Sequence, residues 1–379
     1  MAYGATDAQP AAGERRRVAR ESQARLMWRR FKQHRLALVS LWIVAIFYLV
    51  AVLAEFVAPF PPSEYNPRYT YAPPQGINFF DRDAAGDLVF SPHVNGYGSE
   101  VDPVALRRTF VLDPEVKHRI GFFVESEPYL LAGFIPMRTK LFGPLDSRDP
   151  FYILGADRLG RDLFSRLVHG TRISLSIGLV GVVISLLFGV IIGGFSGYYG
   201  GLFDGVTQRV IEFMKSLPTI PLWLGLAAAL PRDWTALQIY FAITLILSLI
   251  GWTELARVVR GRFLALRTED FVTAARLDGA SDYRIIVRHM VPSFMSHIIA
   301  AATLAIPGMI LAETALSFLG LGLQAPIVSW GTLLQDAQNI RALASAPWLL
   351  TPGIAVVVVI LAMNFLGDGL RDAADPHGR

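Results

Sequence analysis

Six apolar runs divide the chain and are separated by polar intervals of very different lengths. Each run is about as long as the ~20 residues that a helix needs to cross a hydrocarbon core of ~30 Å. The third run is the least regular, because Pro218 and Pro221 interrupt it and Glu212 and Lys215 lie near its start. The pattern predicts six membrane-spanning helices: Leu36–Phe56, Ile173–Phe195, Val210–Leu230, Leu237–Leu255, Ile298–Leu319 and Trp348–Leu366.

The longest polar interval, residues 57–172, separates the first two predicted spans. It is rich in Pro, Gly and aromatic residues, and short apolar runs such as Gly121–Val124 indicate strands between turns. Its Asp81–Asp87 stretch has some features of a calcium loop, but Ala85 occupies a ligand position and Pro92 stands where a bidentate Glu is needed. A turn between strands is therefore predicted there. The interval as a whole is predicted to be a small, mixed, strand-containing domain outside the cytoplasm.

Composition supports a membrane protein, because 53% of the residues are hydrophobic and only 17% are charged, against about 25% in soluble domains. The absence of Cys excludes disulfides and Cys-ligated metal sites. The formal charge is +4, but its location is more informative than its sum, so binding to nucleic acid is not predicted.

Basic residues cluster at two places. The first 35 residues contain nine Arg or Lys against three acidic residues, and no small-residue cleavage site follows the first apolar run. We therefore expect an uncleaved signal anchor with its N-terminus in the cytoplasm. Six spans place the C-terminus and the loop 256–292 on the same side, and that loop carries seven Arg against four acidic residues. The chain is thus predicted to cross a membrane several times, with both of its ends in the cytoplasm.

The resulting organisation has five parts. Residues 1–35 form a basic cytoplasmic segment, 36–56 the first span, and 57–172 the external insertion. Residues 173–370 form a five-helix core that includes the cytoplasmic loop 256–292. Residues 371–379 are a cytoplasmic tail. The predicted fold class is an all-α polytopic membrane protein with an inserted strand-containing domain.

Two features within the predicted spans are candidates for a specific role. Small residues recur at every fourth position of the second span and its continuation, which predicts a smooth ridge for close helix contact: Gly181, Ser185, Gly189, Gly193, Gly197 and Gly201. Glu313 lies late in the fifth span, where it could gate the pathway, cap a helix or extend to the outer boundary. We find no matched pair of midplane charges, as an ion-coupled carrier would need.

The cytoplasmic loop contains the most specific polar pattern, FVTAARLDGASDYRIIVRHMVPSF, from Phe271 to Phe294. Thr268 is a plausible N-cap, with Glu269 and Asp270 in the first turn. Gly279 is predicted to end this helix, and Asp282 to begin a second one that runs to Pro292. Ala274 and Ala275 would form a small smooth surface. A mere connecting loop is the alternative, but such loops are usually shorter.

This stretch resembles the cytoplasmic EAA signature of bacterial ABC importer permeases, E-A-A-x-x-x-G followed by nine residues and I-x-L-P. Ala274-Ala275, Gly279 and Pro292 fall in register. Thr273 replaces the Glu, His289 the Ile and Val291 the Leu. The resemblance implies a coupling helix that docks on an ATPase subunit. Its residues are Phe271, Val272, Thr273, Ala274, Ala275, Arg276, Leu277, Asp278, Gly279 and Ala280, with Arg288, His289 and Pro292 at the exit of the loop.

Further motifs are similar to those of the dipeptide, oligopeptide and nickel permease group. They lie at Gly155–Arg166, Gly170–Leu175, Gly197–Gly201, Pro218–Pro221, Leu316–Gly322 and Asn364–Asp372. The similarity covers about Phe151–Pro376, the basic N-terminus and the first span, whereas Val57–Pro150 matches least. It implies the type I importer fold, a location in the cytoplasmic (inner) membrane of a bacterium, and the form of permease with a long external insertion.

The resemblance also implies partners: a homologous second permease, two cytoplasmic ATPase subunits that bind ATP and Mg, and an external solute-binding protein. The chain itself would have no catalytic residue, metal or cofactor. None of its four lysines completes a Walker A loop. The expected cargo is a short peptide, with oligosaccharide or nickel as alternatives. An ion-coupled transporter, or a receptor or enzyme acting through its external domain, are competing interpretations.

Overall fold

The computed structural model describes residues 23–82, 87–101, 108–231 and 233–374. Most of these residues form helices, and one β-sheet is inserted near the beginning. The helices are α1 Gln23–Phe31, α2 Arg35–Val52, α3 Ala54–Val57, α4 Leu163–Tyr199, α5 Gly201–Ser216, α6 Thr219–Ala228, α7 Ala236–Leu266, α8 Asp270–Leu277, α9 Asp282–Arg284, α10 Val291–Ser293, α11 Met295–Phe318, α12 Trp330–Asp336, α13 Ile340–Ser345 and α14 Thr351–Ala374.

Five helical segments in the described ranges are long and apolar enough to cross a membrane: α2, α4, α7, α11 and Pro347–Ala374, which comprises a 3₁₀ turn and α14. Each coincides with a predicted span. The second begins at Leu163 rather than at Ile173, because the Asp162 carboxylate caps it by accepting hydrogen bonds from the backbone N–H groups of Phe164 and Ser165, at 3.3 and 2.7 Å. Charged residues in its first turns hide this beginning from a hydropathy pattern.

The predicted third span, Val210–Leu230, is wrong as a single helix. The chain forms α5 and α6 instead, separated by Leu217 and Pro218. Leu217 has an extended backbone, with ψ at 135°, as the residue before a proline prefers. Pro218 also lacks the N–H group that a continuous helix would need.

The small-residue ridge of α4 lies against α7. A Cβ atom added to Gly189 would be 2.7 Å from the Cβ of Leu255, and one added to Gly197 would be 2.7 Å from the carbonyl oxygen of Arg260. A Cβ on Gly193 would collide with the carbonyl oxygen of Ala256. The two backbones are therefore in direct contact, as small residues permit in membrane helices.

Two serines continue this contact. Ser248 Oγ donates a hydrogen bond to the carbonyl oxygen of Gly181 at 3.0 Å, and Ser185 Oγ donates one to that of Ser248 at 3.3 Å. Gly201 does not belong to the ridge, contrary to prediction. It begins α5 with φ at +60°, and nothing lies within 4 Å of a Cβ built there.

The register of this contact shows that α4 and α7 run in the same direction, because residue numbers on both helices increase together from Gly181 and Ser248 to Gly197 and Arg260. The chain between Tyr199 and Ala236 must therefore return to the end of the bundle where α4 begins. Helices α5 and α6 make this return. Asp204 on α5 forms a two-bond ion pair with Arg260, each bond 2.5 Å long.

Between α3 and α4 the chain forms an antiparallel sheet whose strands follow chain order: β1 Ile77–Arg82, β2 Leu88–Val101, β3 Arg108–Leu131 and β4 Ile135–Pro144. The strand-containing domain between the first two spans is thus confirmed. The predicted turn at 81–87 falls where β1 pairs with β2 through Arg82 and Leu88, and residues 83–86 lie outside the described ranges.

We expect Gly193→Ala to destabilise the fold, because its methyl group would meet backbone atoms of Ala256 that cannot move aside. The cost of such overpacking is about 1–3 kcal/mol. The measurement is the thermal unfolding midpoint of the detergent-solubilised protein. Gly225→Ala is the matched control, because nothing lies within 4 Å of a Cβ at that helical position. Equal midpoints for the two variants would contradict the close contact of α4 and α7.

Candidate functional site

The predicted coupling helix is present as α8. Together with the residues up to Ser293 it forms what we call the coupling segment, residues 270–293. The backbone N–H of Gly279 donates to the carbonyl oxygen of Arg276 at 3.1 Å, and that of Ala280 to Ala275 at 3.0 Å. Gly279 has φ at +76°, the left-handed conformation that commonly ends a helix. Gly279 therefore ends α8, as predicted.

The beginning of α8 differs from the prediction. The N-cap is Glu269, not Thr268, and its side chain makes no capping hydrogen bond. The Thr268 hydroxyl instead donates to the carbonyl oxygen of Ala265, at 3.4 Å, in the last turn of α7. Because α7 extends to Leu266, only three residues separate the two helices. The first part of the predicted loop 256–292 is thus a direct continuation of a long helix.

One face of α8 is part of the protein core. Val272 is fully buried and Ala275 is 8% exposed. They belong to a cluster that also contains Phe263 of α7, Met290 before α10 and Phe294 at the start of α11. The prediction that Ala274 and Ala275 form one exposed smooth surface is therefore wrong for Ala275. A helix only eight residues long gains its stability from this burial.

The opposite face of α8 is open and carries two large apolar side chains besides the polar Asp270 and Thr273. Leu277 is 83% exposed and Phe271 is 39% exposed, with the exposed Thr273 and Ala274 between them. Tyr283, 71% exposed, extends this surface beyond Gly279. Large side chains of this kind grouped at one tip are typical of a protein contact surface. The predicted residues Phe271, Thr273, Ala274 and Leu277 thus lie together on the surface of the molecule.

Two tyrosines at the end of α4 hold the coupling segment in place. The hydroxyl of Tyr198 donates to Asp282 Oδ1 at 2.7 Å, and that of Tyr199 donates to Asp282 Oδ2 at 3.2 Å. The Arg276 guanidinium donates to the Tyr198 hydroxyl at 3.3 Å and lies 5.7 Å from the centre of its ring. This hydrogen bond raises the pKa of Arg276 above its usual value. Tyr198 therefore contacts both sides of Gly279.

The exit from the coupling segment is less regular than predicted. Asp282 begins α9, with Ser281 as N-cap, but the helix widens into a π turn over Ile285–Met290 before α10. Such turns are rare in proteins, and those that occur are often found at functional sites. Among the predicted exit residues, Arg288 and Pro292 are exposed, and His289 is partly buried.

Glu313 lies apart from the coupling segment, inside the bundle. It is completely buried, so its side chain does not extend out of the bundle, and a place at the outer boundary stays a prediction. Ser174 and Ser317 donate hydrogen bonds to its carboxyl group at 3.2 and 2.8 Å, and Ser174 Oγ in turn accepts one from the Trp330 backbone N–H at 3.1 Å. Glu313 therefore connects α4, α11 and α12, and a gating role stays a prediction.

A second polar cluster occupies the end of the bundle opposite the coupling segment. The fully buried Asp157 accepts a hydrogen bond from Arg161 Nε at 2.7 Å and pairs with Arg166, while Asp336 of α12 lies 3.1 Å from Arg158. Trp348 Nε1 donates to the carbonyl oxygen of Ala156 at 2.9 Å. The sequence motif at Gly155–Arg166 thus joins the start of α4 to the region before α14.

Burial raises the pKa of the neighbouring Asp162 to about 6. Its capping hydrogen bonds favour the charged carboxylate and lower the pKa, but their effect is smaller than that of burial. Asp336 and Trp348, which contact the Gly155–Arg166 motif, were not predicted to do so, because nothing in the sequence connects them to it. Tyr198 and Tyr199 lie in the predicted Gly197–Gly201 motif, but their contact with Asp282 was not predicted. Two adjacent tyrosines at the end of an apolar helix require hydrogen-bond partners, and this is the signal that could have indicated it.

Comparison with known proteins gives consistent matches. Residues 186–379 match the family model "Binding-protein-dependent transport system inner membrane component", and residues 22–74 match the "N-terminal TM domain of oligopeptide transport permease C". The oligopeptide transport system permease protein OppC of Bacillus subtilis is 38% identical over 268 residues, which cover 69% of this chain and 85% of the relative. The dipeptide permease DppC of Lactococcus lactis is 34% identical over 356 residues, 92% of this chain and 89% of the relative.

Among solved structures, the chain has a similarity to the MetNI methionine ABC transporter in an inward-facing conformation. The TM-score is 0.44 at 18% identity, and the alignment covers 55% of this chain and 96% of the other. These values are too low to establish a shared fold.

The two faces of α8 can be distinguished by thiol labelling, which is unambiguous because the chain has no Cys of its own. We expect Ala274→Cys to react with a maleimide roughly tenfold or more faster than Ala275→Cys, since thiol reactivity follows exposure. The measurement is the labelling rate of the solubilised chain, with denatured protein as the control for equal intrinsic reactivity. Fast labelling at Ala275→Cys would contradict the burial of that face.

Proposed function

The chain belongs to the family of binding-protein-dependent transport system inner membrane components, and from this premise we propose that it is the permease subunit of an ATP-driven importer of short peptides. The named relatives are oligopeptide and dipeptide permeases at 34–38% identity, which supports peptides over oligosaccharide or nickel as cargo. The chain would form the translocation pathway together with a homologous second permease.

The observation that carries the proposal is the two-faced structure of α8. Its inner face is part of the core of the bundle, whereas Leu277 and Phe271 present an apolar tip with no covering element among the described residues. This arrangement fits a helix that inserts into a groove of a partner protein. We propose that the partner is one of two cytoplasmic ATPase subunits, which would bind ATP and Mg.

The contacts of the coupling segment suggest how a movement of the ATPase would reach the pathway. Val272 and Ala275 contact the end of α7 and the start of α11, and Asp282 is hydrogen-bonded to the end of α4. A displacement of α8 would therefore move the ends of three long helices together. Thr273, where the related signature has Glu, is exposed and would contribute one polar contact fewer to the partner.

We further propose six crossings, with both ends of the chain and the coupling segment in the cytoplasm. Five segments qualify as spans by length and composition, and the parallel contact of α4 with α7 requires one more passage between them, which the broken pair α5 and α6 would provide. The nine basic residues before the first span support the orientation. The sheet and the Asp157 cluster would then face the external solute-binding protein.

An ion-coupled transporter is the second candidate, and Glu313 is the observation that favours it, because a buried carboxyl group within a membrane bundle is a common part of proton pathways. Its contacts, however, are with hydroxyl groups rather than with a second titratable group. Peptide uptake by this chain alone, driven by a proton gradient and without ATPase subunits, would support that candidate over the importer.

The proposed sidedness predicts opposite labelling of two equally exposed positions. Leu277 is 83% exposed in the coupling segment, and Ile340 is 82% exposed in α13 near the opposite end. In intact spheroplasts we expect a membrane-impermeant maleimide to label Ile340→Cys but not Leu277→Cys. Inverted vesicles from cells without the ATPase subunits, which would otherwise cover Leu277, should give the reverse. Labelling of both from the same side would contradict six crossings.

The same pair of residues tests docking. We expect Leu277→Asp to reduce co-purification of the ATPase subunits and peptide uptake at least tenfold, because a charge would be buried in an apolar contact, at a cost of several kcal/mol. Ile340→Asp is the matched control and should retain ATPase subunits. Thermal unfolding midpoints should equal that of the wild type in both variants, since neither residue is packed. Full ATPase retention by Leu277→Asp would exclude α8 as the docking element.

A further inference from the structure

An apolar groove lies where the N-terminal helix α1 meets the exit of the coupling segment and the end of the chain's last span. Its volume is about 340 Å³, within the range of ligand pockets. The lining is apolar apart from two serines, and consists of Met27, Trp28, Phe31, Pro292, Ser293, Met295, Ser296, Ile299, Leu370 and Ala373. Phe31 anchors α1 to the bundle, because it is 3% exposed and its ring is 3.4 Å from a Cβ built on Gly369.

The groove lies at the ends of three spans. α1 leads through a short turn into the span that begins at Arg35, Met295 begins α11, and Leu370 belongs to the last two turns of α14. Because the hydrocarbon core must cover the apolar parts of these helices, the groove is at the level where hydrocarbon meets head groups. This level suits a molecule with an apolar chain and a polar head.

The helix α1 that forms one side of the groove is basic on its exposed surface. Between Gln23 and Arg35 the chain has no acidic residue, and the side chains of Arg25, Arg29, Lys32 and Arg35 are exposed. Trp28 is 48% exposed, and the Lys32 ammonium lies 5.2 Å from the centre of its ring. A short amphipathic helix with basic residues and a tryptophan is typical of a membrane interface. Asp368 and Asp372 of α14 are also exposed near this end, and neither they nor the basic residues of α1 line the groove itself.

We propose that this groove binds an anionic phospholipid, with one acyl chain against Met27, Ile299 and Leu370 and the phosphate beside Arg29 and Lys32. The apolar lining accounts for the acyl chain, and the basic residues of α1 account for the preference for an anionic head group. Pro292 and Ser293 form one wall, so the lipid would lie directly beside the exit of the coupling segment.

The test uses the full chain, purified after reconstitution into nanodiscs that contain equal amounts of phosphatidylglycerol and phosphatidylcholine. The readout is the ratio of the two lipids that remain bound, measured by native mass spectrometry. We expect the wild type to retain phosphatidylglycerol preferentially. Arg29→Gln combined with Lys32→Gln should reduce that preference about fivefold or more, since each basic group near a surface contributes on the order of a fivefold preference.

Two further variants make the test specific. Ser296→Trp should reduce the retention of both lipids by filling the groove. Arg119→Gln combined with Arg138→Gln, a loss of two exposed charges in the sheet, should leave the preference unchanged. The proposal is overturned if the wild type shows no preference, or if the two double variants lose it equally. It is also overturned if preferential retention appears only after deletion of residues 2–22, because the occupant would then be the chain's own N-terminal segment.

Discussion

The contact between the backbones of α4 and α7 is the constraint on which the rest of the structure depends. Gly189, Gly193 and Gly197 leave one side of α4 without side chains. The backbone of α7 can therefore come into direct contact with the backbone of α4. Lipid tails are as apolar as helix side chains, so the hydrophobic effect does not favour contact between helices in a membrane. Van der Waals packing at close approach must therefore hold the helices together. The parallel register then decides the path of the chain between them.

The same contact positions the coupling segment. Because Gly197 packs against Arg260 and Phe263, it fixes where α4 ends relative to α7. The next two residues are the tyrosines that contact the coupling segment. Tyr198 and Tyr199 both donate to Asp282, while Phe263 forms part of the core under Val272. A shift of α4 along α7 by one turn would break these contacts together. Helix association and docking geometry are therefore one property of the fold.

Much of this could be predicted from sequence, and the exceptions have physical causes. Length and apolarity located five spans, the period of four revealed the ridge on α4, and Gly279 identified the end of α8. The break at Pro218 was visible, yet apolarity on both sides favoured one helix. The direction in which Ala275 faces could not be predicted, because both alanines fit either face of α8 and only the position of Phe263 decides between them.

Burial of charge was the hardest feature to predict, because it depends on partners far away in the sequence. Asp157 has no exposed surface, and its neighbours Arg161 and Arg166 are tied to Asp336, which is remote along the chain. Glu313 is likewise buried, and its carboxyl group accepts hydrogen bonds from Ser174 of α4 and from Ser317 one turn further along its own helix. Removing one partner from such a cluster is costly, on the order of 3–5 kcal/mol for a buried ion pair.

The two ends of the bundle are therefore held in different ways. At one end, ion pairs and Glu313 connect α4, α11 and α12 through directional contacts that cannot slide. At the other, the coupling segment rests on an apolar cluster and on the hydroxyl groups of two tyrosines, which tolerate small displacements better than paired charges do. If the proposed ATPase moves α8, we expect the helices to tilt about the end that carries Asp157. The proposed pathway would then change its width most at the end where the force is applied.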